Sequence, residues 1–258
     1  MSKIGNAFKS GKAFIPYLTA GDPSVEKSCK FILEMERAGA DLVEIGIPFS
    51  DPIAEGPVIQ AANIRALSVH TDLGQVFRLV RMVREKSQIP LVFLTYVNPI
   101  FRYGAESFFS ACADVGVDGV IVPDMPYEER GECATAAAAY GIDIISMIAP
   151  TSRERIKTIA SVGSGFLYVV SSLGVTGMRS DIKTGIDDMI KTIRNVTDVP
   201  AAVGFGINTP EQATALAKLA DGVIVGSAVV RIIAVHGEAA GPYLYEYVRS
   251  MKEAVLRA

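Results

Sequence analysis

One short module repeats along the chain and constrains the fold more than any other feature. It consists of a helix end, a small turn with an aspartate, and then a run rich in β-branched residues. The module occurs as AGADLVEIG (38–46), VGVDGVIVP (115–123), YGIDIISMI (140–148) and LADGVIVG (219–226). Because these runs are apolar on both faces, they predict parallel strands that helices cover.

The rest of the chain follows the same alternation. It gives eight strands, each followed by helix, in 258 residues, which is the usual size of a (β/α)8 barrel. The predicted strands are residues 13–19, 41–47, 90–95, 118–122, 142–148, 166–170, 200–203 and 221–225. The predicted helices are 24–38, 58–69 with 72–87, 104–114, 128–139, 152–162, 185–195, 209–218 and 227–256. We therefore predict an α/β fold: a single (β/α)8 TIM barrel domain over 1–258, with extra N-terminal and loop helices.

A doubly wound open sheet is the alternative fold. Such a sheet normally has fewer repeats and often a GxGxxG motif after its first strand. Here the first strand runs into Thr19-Ala20-Gly21-Asp22-Pro23 instead. The alternation therefore favours the closed barrel.

Composition excludes several classes of protein. The formal net charge is -3, which gives no broad basic surface for nucleic acid. Three scattered cysteines, with no CxxC or Cys/His cluster, predict neither disulfides nor a metal site, and they fit a reducing cytosol. No signal peptide is recognisable, and no apolar run approaches the ~20 residues of a membrane-spanning helix. We therefore expect a cytoplasmic protein.

Glu44 is the most informative acid because it interrupts an apolar strand. An ionised carboxylate in such a strand costs several kcal/mol unless it is solvated or partnered. Alternation places Glu44 on the same face as Leu42 and Gly46, toward the barrel interior. A structural glutamate paired with an internal cation is the alternative, but the other predicted strands contain no such cation. This position favours a functional role.

The other acids are sorted by their place along the strands. Acids at strand starts belong to the face of a barrel that supports stability, whereas strand ends and the loops after them hold the chemistry. Glu55 lies in the turn-rich loop after Glu44, and the simplest interpretation is that its side chain is solvated on the surface. Asp124, in a rigid Pro-flanked turn, is as compatible with a structural or interface role as with catalysis. The acids that we expect to be structural are Asp41, Asp118, Asp143 and Asp221.

Glycine-bearing loops follow the last three predicted strands. They are SSLGVTG (171–177), GFGIN (204–208) and VGSA (225–228), with Ser227 opening a helix. Glycines let backbone N–H groups approach an anion, and barrel phosphate sites commonly use the loops after strands seven and eight. Tight turns alone are the alternative. Without a Walker lysine, the loops predict a small phosphorylated metabolite as ligand, and the long polar loop 171–185 is a candidate lid.

The combination of these motifs resembles the tryptophan synthase alpha subunit family from end to end. The matching stretches are YLTAGDP (17–23), VEIGIPFSDPIAEGPVIQAA (43–62), TYVNPIF (95–101), GVDGVIVPDMPYEE (116–129), FLYVVSSLGVTG (166–177), VGFGINTPEQ (203–212) and VIVGSAVV (223–230). The resemblance implies a lyase that cleaves indole-3-glycerol phosphate to indole and glyceraldehyde 3-phosphate. It also implies a partner, a beta subunit that holds pyridoxal phosphate, in an alpha2-beta2 assembly; no cofactor is expected in this chain.

The resemblance also implies roles for individual residues. Glu44 matches the catalytic glutamate that moves protons, and Glu55 stands where the family usually has the aspartate that holds the indole N–H. Substrate contacts are implied for Tyr17, Leu94, Tyr96, Ile121, Tyr168, Thr176, Gly177, Phe205, Gly206, Gly226 and Ser227, although several of these would pass as plain core on pattern alone. Loops facing the beta subunit are implied to contain Asp51, Pro52, Asn98, Phe101, Asp124 and Pro126.

Three alternatives to a partnered alpha chain remain at this point. A freestanding lyase on the same scaffold differs only in not needing the beta subunit. The chain could also be a non-catalytic phosphate-binding or regulatory subunit, in which Glu55 in place of aspartate would reflect the loss of efficient catalysis. The presence of Glu44, Tyr168 and Thr176 argues against this alternative. A sugar-phosphate epimerase or isomerase would need different acids or metal ligands at its strand ends.

Overall fold

Eight parallel strands close into a barrel in the computed structural model of the chain. The structure describes residues 3–170, 179–204 and 206–258, with the backbone alone for 179–184. Each strand pairs with the next along the chain, and the eighth pairs with the first. The strands are β1 (Ala13–Thr19), β2 (Val43–Gly46), β3 (Leu91–Leu94), β4 (Gly119–Ile121), β5 (Asp143–Ile148), β6 (Leu167–Val170), β7 (Ala201–Gly204) and β8 (Gly222–Val225). The predicted (β/α)8 barrel is confirmed.

Helices form a layer around the strands. Among the described residues they are α1 (Val25–Arg37), α2 (Pro57–Ser68), α3 (Leu73–Arg84), α4 (Val97–Tyr103), α5 (Ala105–Val115), α6 (Gly131–Ala139), α7 (Arg153–Ala160), α8 (Arg179–Arg194), α9 (Pro210–Ala217), α10 (Ser227–His236) and α11 (Gly241–Leu256). Several start at residues that cap them well: Ser24 accepts a hydrogen bond from the Lys27 amide, and Thr209 forms a capping box with Gln212. No helix among the described residues is both long enough and apolar enough to cross a bilayer.

Strand alternation divides the apolar residues into two layers. One layer fills the barrel interior with Ile15, Leu42, Val92, Ile121, Ile145, Ala202 and Ile224. The other lies between strands and helices, and includes Phe14, Val43 and Ile45 with Phe31 and Ile32 of α1. A short 3-10 helix, Ile4–Phe8, puts the fully buried Ile4 into the interior cluster and so closes the end of the barrel where the strands begin.

Three of the four aspartates at strand starts make the same two contacts, one with a backbone amide of the neighbouring strand and one with a cation. Asp41 accepts the Phe14 amide of β1 at 2.7 Å, Asp118 accepts the Leu91 amide of β3 at 2.9 Å, and Asp221 accepts the Ala201 amide of β7 at 2.8 Å. Each carboxylate also binds a cation from the helix layer: Lys252, Arg84 and Arg194, respectively. The paired carboxylates tie neighbouring strands together at the face opposite the strand C-terminal ends. Asp143 begins β5, and its Oδ2 has no hydrogen-bond partner among the described residues.

Three predicted elements differ from the structure. The predicted helix 227–256 is wrong: it is two helices, α10 and α11, because Gly237 adopts φ 53° and Pro242 lacks the N–H that a continuous helix needs. The predicted loop 171–185 is too long, since α8 begins at Arg179; residues 171–178 lie outside the described residues. The sequence reading also missed α4, which contains Pro99 in its first turn, where the proline's missing N–H is tolerated.

We expect Asp118→Ala to lower the free energy of unfolding by about 3–5 kcal/mol, because it leaves the partly buried Arg84 guanidinium without its carboxylate. Urea unfolding at neutral pH measures the loss. The matched control is Asp114→Ala, the removal of an exposed carboxylate from α5, which we expect to change stability by no more than about 0.5 kcal/mol. Equal small effects of the two substitutions would contradict the structural role of Asp118.

Candidate active site

Glu44 lies in the barrel mouth, where the parallel strands end. Its backbone pairs with Tyr17 of β1 on one side and Val92 of β3 on the other. Its neighbour two residues earlier, Leu42, belongs to the interior cluster, so alternation points Glu44 inward as well. The residue is only 2 % exposed, and its Oε2 has no hydrogen-bond partner among the described residues. The carboxyl group is therefore desolvated, and no cation in the described part of the chain pairs with it.

This environment changes the acidity of Glu44. Burial is the main cause, and the nearby Glu55 charge is the second; together they raise the pKa of Glu44 to about 8. At neutral pH the group is then mostly a neutral carboxylic acid that can donate a proton and take it back.

Glu55 approaches the mouth from the loop before α2. Its Oε2 accepts a hydrogen bond of 2.6 Å from Asn63 Nδ2, and its backbone carbonyl accepts one of 2.7 Å from Gln60 Nε2. Burial raises the pKa of Glu55, while hydrogen bonds from Asn63 and the Tyr96 hydroxyl oppose that rise. Two neutral donors thus favour the ionised form of the second carboxylate, and the Glu55 charge in turn raises the pKa of Glu44.

Two tyrosines lie in the mouth over glycines of the next strand. A Cβ on Gly46 would come within 2.0 Å of the Tyr17 hydroxyl, and a Cβ on Gly204 would come within 2.4 Å of the Tyr168 hydroxyl. Only glycine leaves room for these rings. Burial first, and then the charges of Glu55 and Glu44, raise the pKa of Tyr17; burial and Glu44 raise that of Tyr168. Both phenols therefore stay neutral beside the glutamates.

Further residues predicted to contact substrate line the same region. Tyr96, at the end of β3, is almost fully buried, and its hydroxyl accepts the Ala54 amide at 3.1 Å. Ile121 belongs to the interior cluster, and the partly buried Leu94 packs against the small cluster of Tyr17, Ala62 and Val230. A cavity of about 440 Å³ opens beside them at the ends of β4, β5 and β6, lined in part by Pro123, Met147 and Val170. Neither glutamate lines this cavity.

The predicted phosphate cradle is described in part. Gly226 is the N-cap of α10 and Ser227 is its first residue, as the sequence predicts. The first N–H groups of a helix have no intrahelical partner and favour anions. Gly206, with φ 74°, is exposed after the end of β7. Three other residues predicted to contact the substrate lie outside the described residues: Thr176 and Gly177 of the candidate lid and Phe205 of the indole pocket.

The residues predicted to face a partner lie on the loops and helix around this mouth. Asp51, Asn98 and Pro126 are exposed, Phe101 is 79 % exposed, and Pro52 and Asp124 are partly buried. Asn98 and Phe101 were expected on a loop, and this is wrong: both lie on α4. Asp124 has a structural task, since its Oδ1 accepts the Val97 amide at the start of that helix at 2.9 Å.

The sequence pattern does not predict the role of three residues near the site. Ile53, an apolar residue in a polar turn, is 79 % exposed, and that contrast was its only signal. Asn63 is 2 % exposed on the inner face of α2, where a lone amide among small apolar residues was a weak signal. Asp22 binds Arg65 with two hydrogen bonds and so ties the loop after β1 to α2; no local pattern pairs residues so far apart. In the part of the chain that the structure describes, no cluster of His, Cys, Asp and Glu could hold a metal ion.

Comparison with known proteins agrees with this architecture. The sequence model of the family described as tryptophan synthase alpha chain matches residues 6–255. The tryptophan synthase alpha chain of Lacticaseibacillus casei is 47 % identical over 255 residues, covering 99 % of this chain and 96 % of that protein. That of Lactiplantibacillus plantarum is 50 % identical over 256 residues, covering 99 % and 97 %.

Solved structures give the same result. Tryptophan synthase subunit alpha from Legionella pneumophila superposes with a TM-score of 0.91 at 34 % identity, over 100 % of both chains. A chain of the tryptophan synthase a2b2 complex from Pyrococcus furiosus gives 0.85 at 37 % identity, over 93 % of this chain and 98 % of that one. This chain belongs to the tryptophan synthase alpha chain family, whose members are lyases that cleave indole-3-glycerol phosphate.

Proposed function

We propose that Glu44 transfers the protons of this retro-aldol cleavage and that Glu55 holds the indole N–H. The single observation that supports this assignment is a buried glutamate with a pKa of about 8 beside a second, hydrogen-bonded carboxylate at the barrel mouth. Environments that separate the pKa values of two carboxyl groups are typical of sites that need both an acid and a base.

Two carboxyl groups are enough for every proton transfer in the proposed reaction. Glu44 donates its proton to C3 of the indole ring, which places positive charge on the ring nitrogen. The ionised Glu55 stabilises that charge by accepting the N–H hydrogen bond. Glu44, now a carboxylate, takes the proton of the side-chain hydroxyl as that carbon becomes the aldehyde. The electron pair of the broken C–C bond returns to the ring, and indole and glyceraldehyde 3-phosphate are released.

The substrate phosphate is proposed to bind where β7 and β8 end. The first turn of α10, with Gly226 and Ser227, supplies backbone N–H groups and a hydroxyl, and Gly206 supplies a backbone without a side chain. Thr176, Gly177 and Phe205 are proposed as further contacts on the substrate. Tyr17, Leu94, Tyr96, Ile121 and Tyr168 would enclose the indole ring.

The partner that we propose is a tryptophan synthase beta subunit that holds pyridoxal phosphate, in an alpha2-beta2 assembly in the cytoplasm. The relative from Pyrococcus furiosus is described as an a2b2 complex. In this chain Ile53 and Phe101, both exposed apolar side chains beside the mouth, suit a surface that another protein covers. No cofactor is proposed for this chain.

An indole-formation assay, run with and without a tryptophan synthase beta subunit, tests this function against its alternatives. A partnered alpha chain forms indole faster when the beta subunit is present. A freestanding lyase forms indole at the same rate in both cases, and a non-catalytic subunit forms none in either.

We expect Glu44→Gln to abolish indole formation while leaving the fold intact, because the isosteric amide cannot move a proton. The loss should be at least about 10²-fold in kcat, the lower end of general acid–base contributions. Indole release in the presence of a beta subunit measures it, and circular dichroism checks the fold. Turnover at the parent rate would exclude Glu44 as the proton-transfer group.

The raised pKa of Glu44 also predicts how stability depends on pH. In the folded state the group keeps its proton up to about pH 8, whereas in the unfolded chain it loses the proton near its ordinary value of 4.5. Its contribution to stability is therefore fully present below pH 4.5 and is lost as the pH rises toward 8. Relative to the parent, the free energy of unfolding of Glu44→Gln should rise by up to about 1.4 kcal/mol per pH unit between pH 4.5 and about 8, and it should not rise further at higher pH. Urea unfolding of both proteins at pH 5 to 9 measures the difference, which would be constant if Glu44 titrated normally.

We expect Glu55→Asp to match or exceed the parent rate of indole formation, because it restores the carboxylate that the family usually has at this position. Glu55 lies in a loop rather than in a strand or helix, so a shorter side chain requires only local adjustment. Steady-state kcat and KM for indole-3-glycerol phosphate measure the effect. A loss of tenfold or more would show that the pocket has adapted to the longer side chain.

A further inference from the structure

Glu55 depends on α2 for its position. The residue lies outside any strand or helix, in the loop that precedes α2. Gln60, in the first turns of α2, binds the Glu55 carbonyl, and Asn63, two turns from the start, binds the Glu55 carboxylate. The helix itself is tied to the loop after β1, because Arg65 donates two hydrogen bonds to the buried Asp22. The loop and its carboxylate are thus held against a helix that is anchored elsewhere in the barrel.

Asn63 is poorly placed for stability. It is 2 % exposed on the face of α2 that buries Ala62 and Ala66. Its amide nitrogen has a partner in Glu55, but its Oδ1 finds no hydrogen-bond partner among the described residues. A buried carbonyl without a partner is destabilising. An apolar residue of the same size would remove this defect, which indicates that the hydrogen bond to Glu55 has a purpose other than stability.

We propose that Asn63 is a positioning residue of the lyase reaction, which fixes the Glu55 carboxylate in the orientation that receives the indole N–H. This inference rests on the role proposed above for Glu55. Asn63 does not touch the reacting atoms; it acts through Glu55.

The surroundings of Glu55 explain why one neutral donor has a large effect. Tyr96, at the end of β3, is its other hydrogen-bonding neighbour. Among the described residues, the other ionisable groups near Glu55 are Glu44 of β2 and Tyr17 of β1, with Asp124 beyond Tyr96. All of these are acids, so none of them stabilises a negative charge on Glu55 as a cation would. Loss of the Asn63 donor should therefore shift the pKa of Glu55 upward and protonate it at a higher pH.

The test compares Asn63→Leu with the parent in steady-state indole formation from pH 5 to 9, with a beta subunit present. We expect kcat/KM at neutral pH to fall about ten- to hundredfold, the loss expected for one hydrogen bond to a charged group. We also expect the acid limb of the pH profile, where Glu55 gains its proton, to move up by about one pH unit. Removal of the unpaired carbonyl and loss of the donor to Glu55 have opposite effects on stability, so the melting temperature should change little. The matched control is Ile64→Ala, at a 69 % exposed neighbour on the same helix, which should leave the kinetics and the limb unchanged.

The same measurements in a Glu55→Gln background separate the two proposals. If Asn63 acts through Glu55, Asn63→Leu causes no further loss once Glu55 is an amide. Full activity of Glu55→Gln would refute the role of Glu55 and the inference with it. A weak Glu55→Gln enzyme combined with parent kinetics for Asn63→Leu would refute the inference alone. An unmoved acid limb with losses that add in both backgrounds would reduce Asn63 to a structural residue.

Discussion

The parallel pairing that closes the barrel is the constraint on which the site depends. With β8 paired to β1, every strand ends at the same mouth, so residues far apart in sequence meet there. The register sets Glu44 level with Tyr17 on one side and Val92 on the other. A shift of one residue would turn Glu44 toward the helix layer and replace it in the interior with Val43 or Ile45. The position of the carboxyl group is therefore as well fixed as the barrel itself.

Burial then gives the two glutamates different chemistry. Glu44 is inside the barrel without a cation or a hydrogen bond to its Oε2 among the described residues, so its neutral form is favoured. Burial also raises the pKa of Glu55, but this residue comes from a loop and meets donors from Asn63 and Tyr96, which oppose the rise. The charge on Glu55 in turn discourages a second charge on Glu44. Burial and the Glu55 charge thus favour the neutral form of Glu44, while two donors oppose the same change at Glu55, although both residues are glutamate.

The sequence predicts this fold well because its signals are local and repeated. Apolar runs of four to seven residues, each opened by a small turn, identify every strand to within two residues, and alternation alone turns Glu44 inward. It fails where a single backbone feature decides the outcome, as at Gly237, whose positive φ separates α10 from α11. It also misses Asn63 and Arg65, because the partners of these residues are brought close only by tertiary packing. Those contacts tie Glu55 to α2 and α2 to the loop after β1.

The two ends of the barrel treat carboxylates in opposite ways. Where the strands begin, each of three aspartates has both a backbone amide and a cation, and this pairing makes a buried charge tolerable. Where the strands end, the two glutamates have no cation in the structure described, and Asn63 keeps an unpaired carbonyl in order to donate to one of them. A chain selected for stability alone would treat both ends alike. The difference indicates that the mouth gives up stability to keep two buried carboxyl groups without a cation. The cation-paired aspartates at the other end support the barrel: Asp41 with Lys252, Asp118 with Arg84 and Asp221 with Arg194.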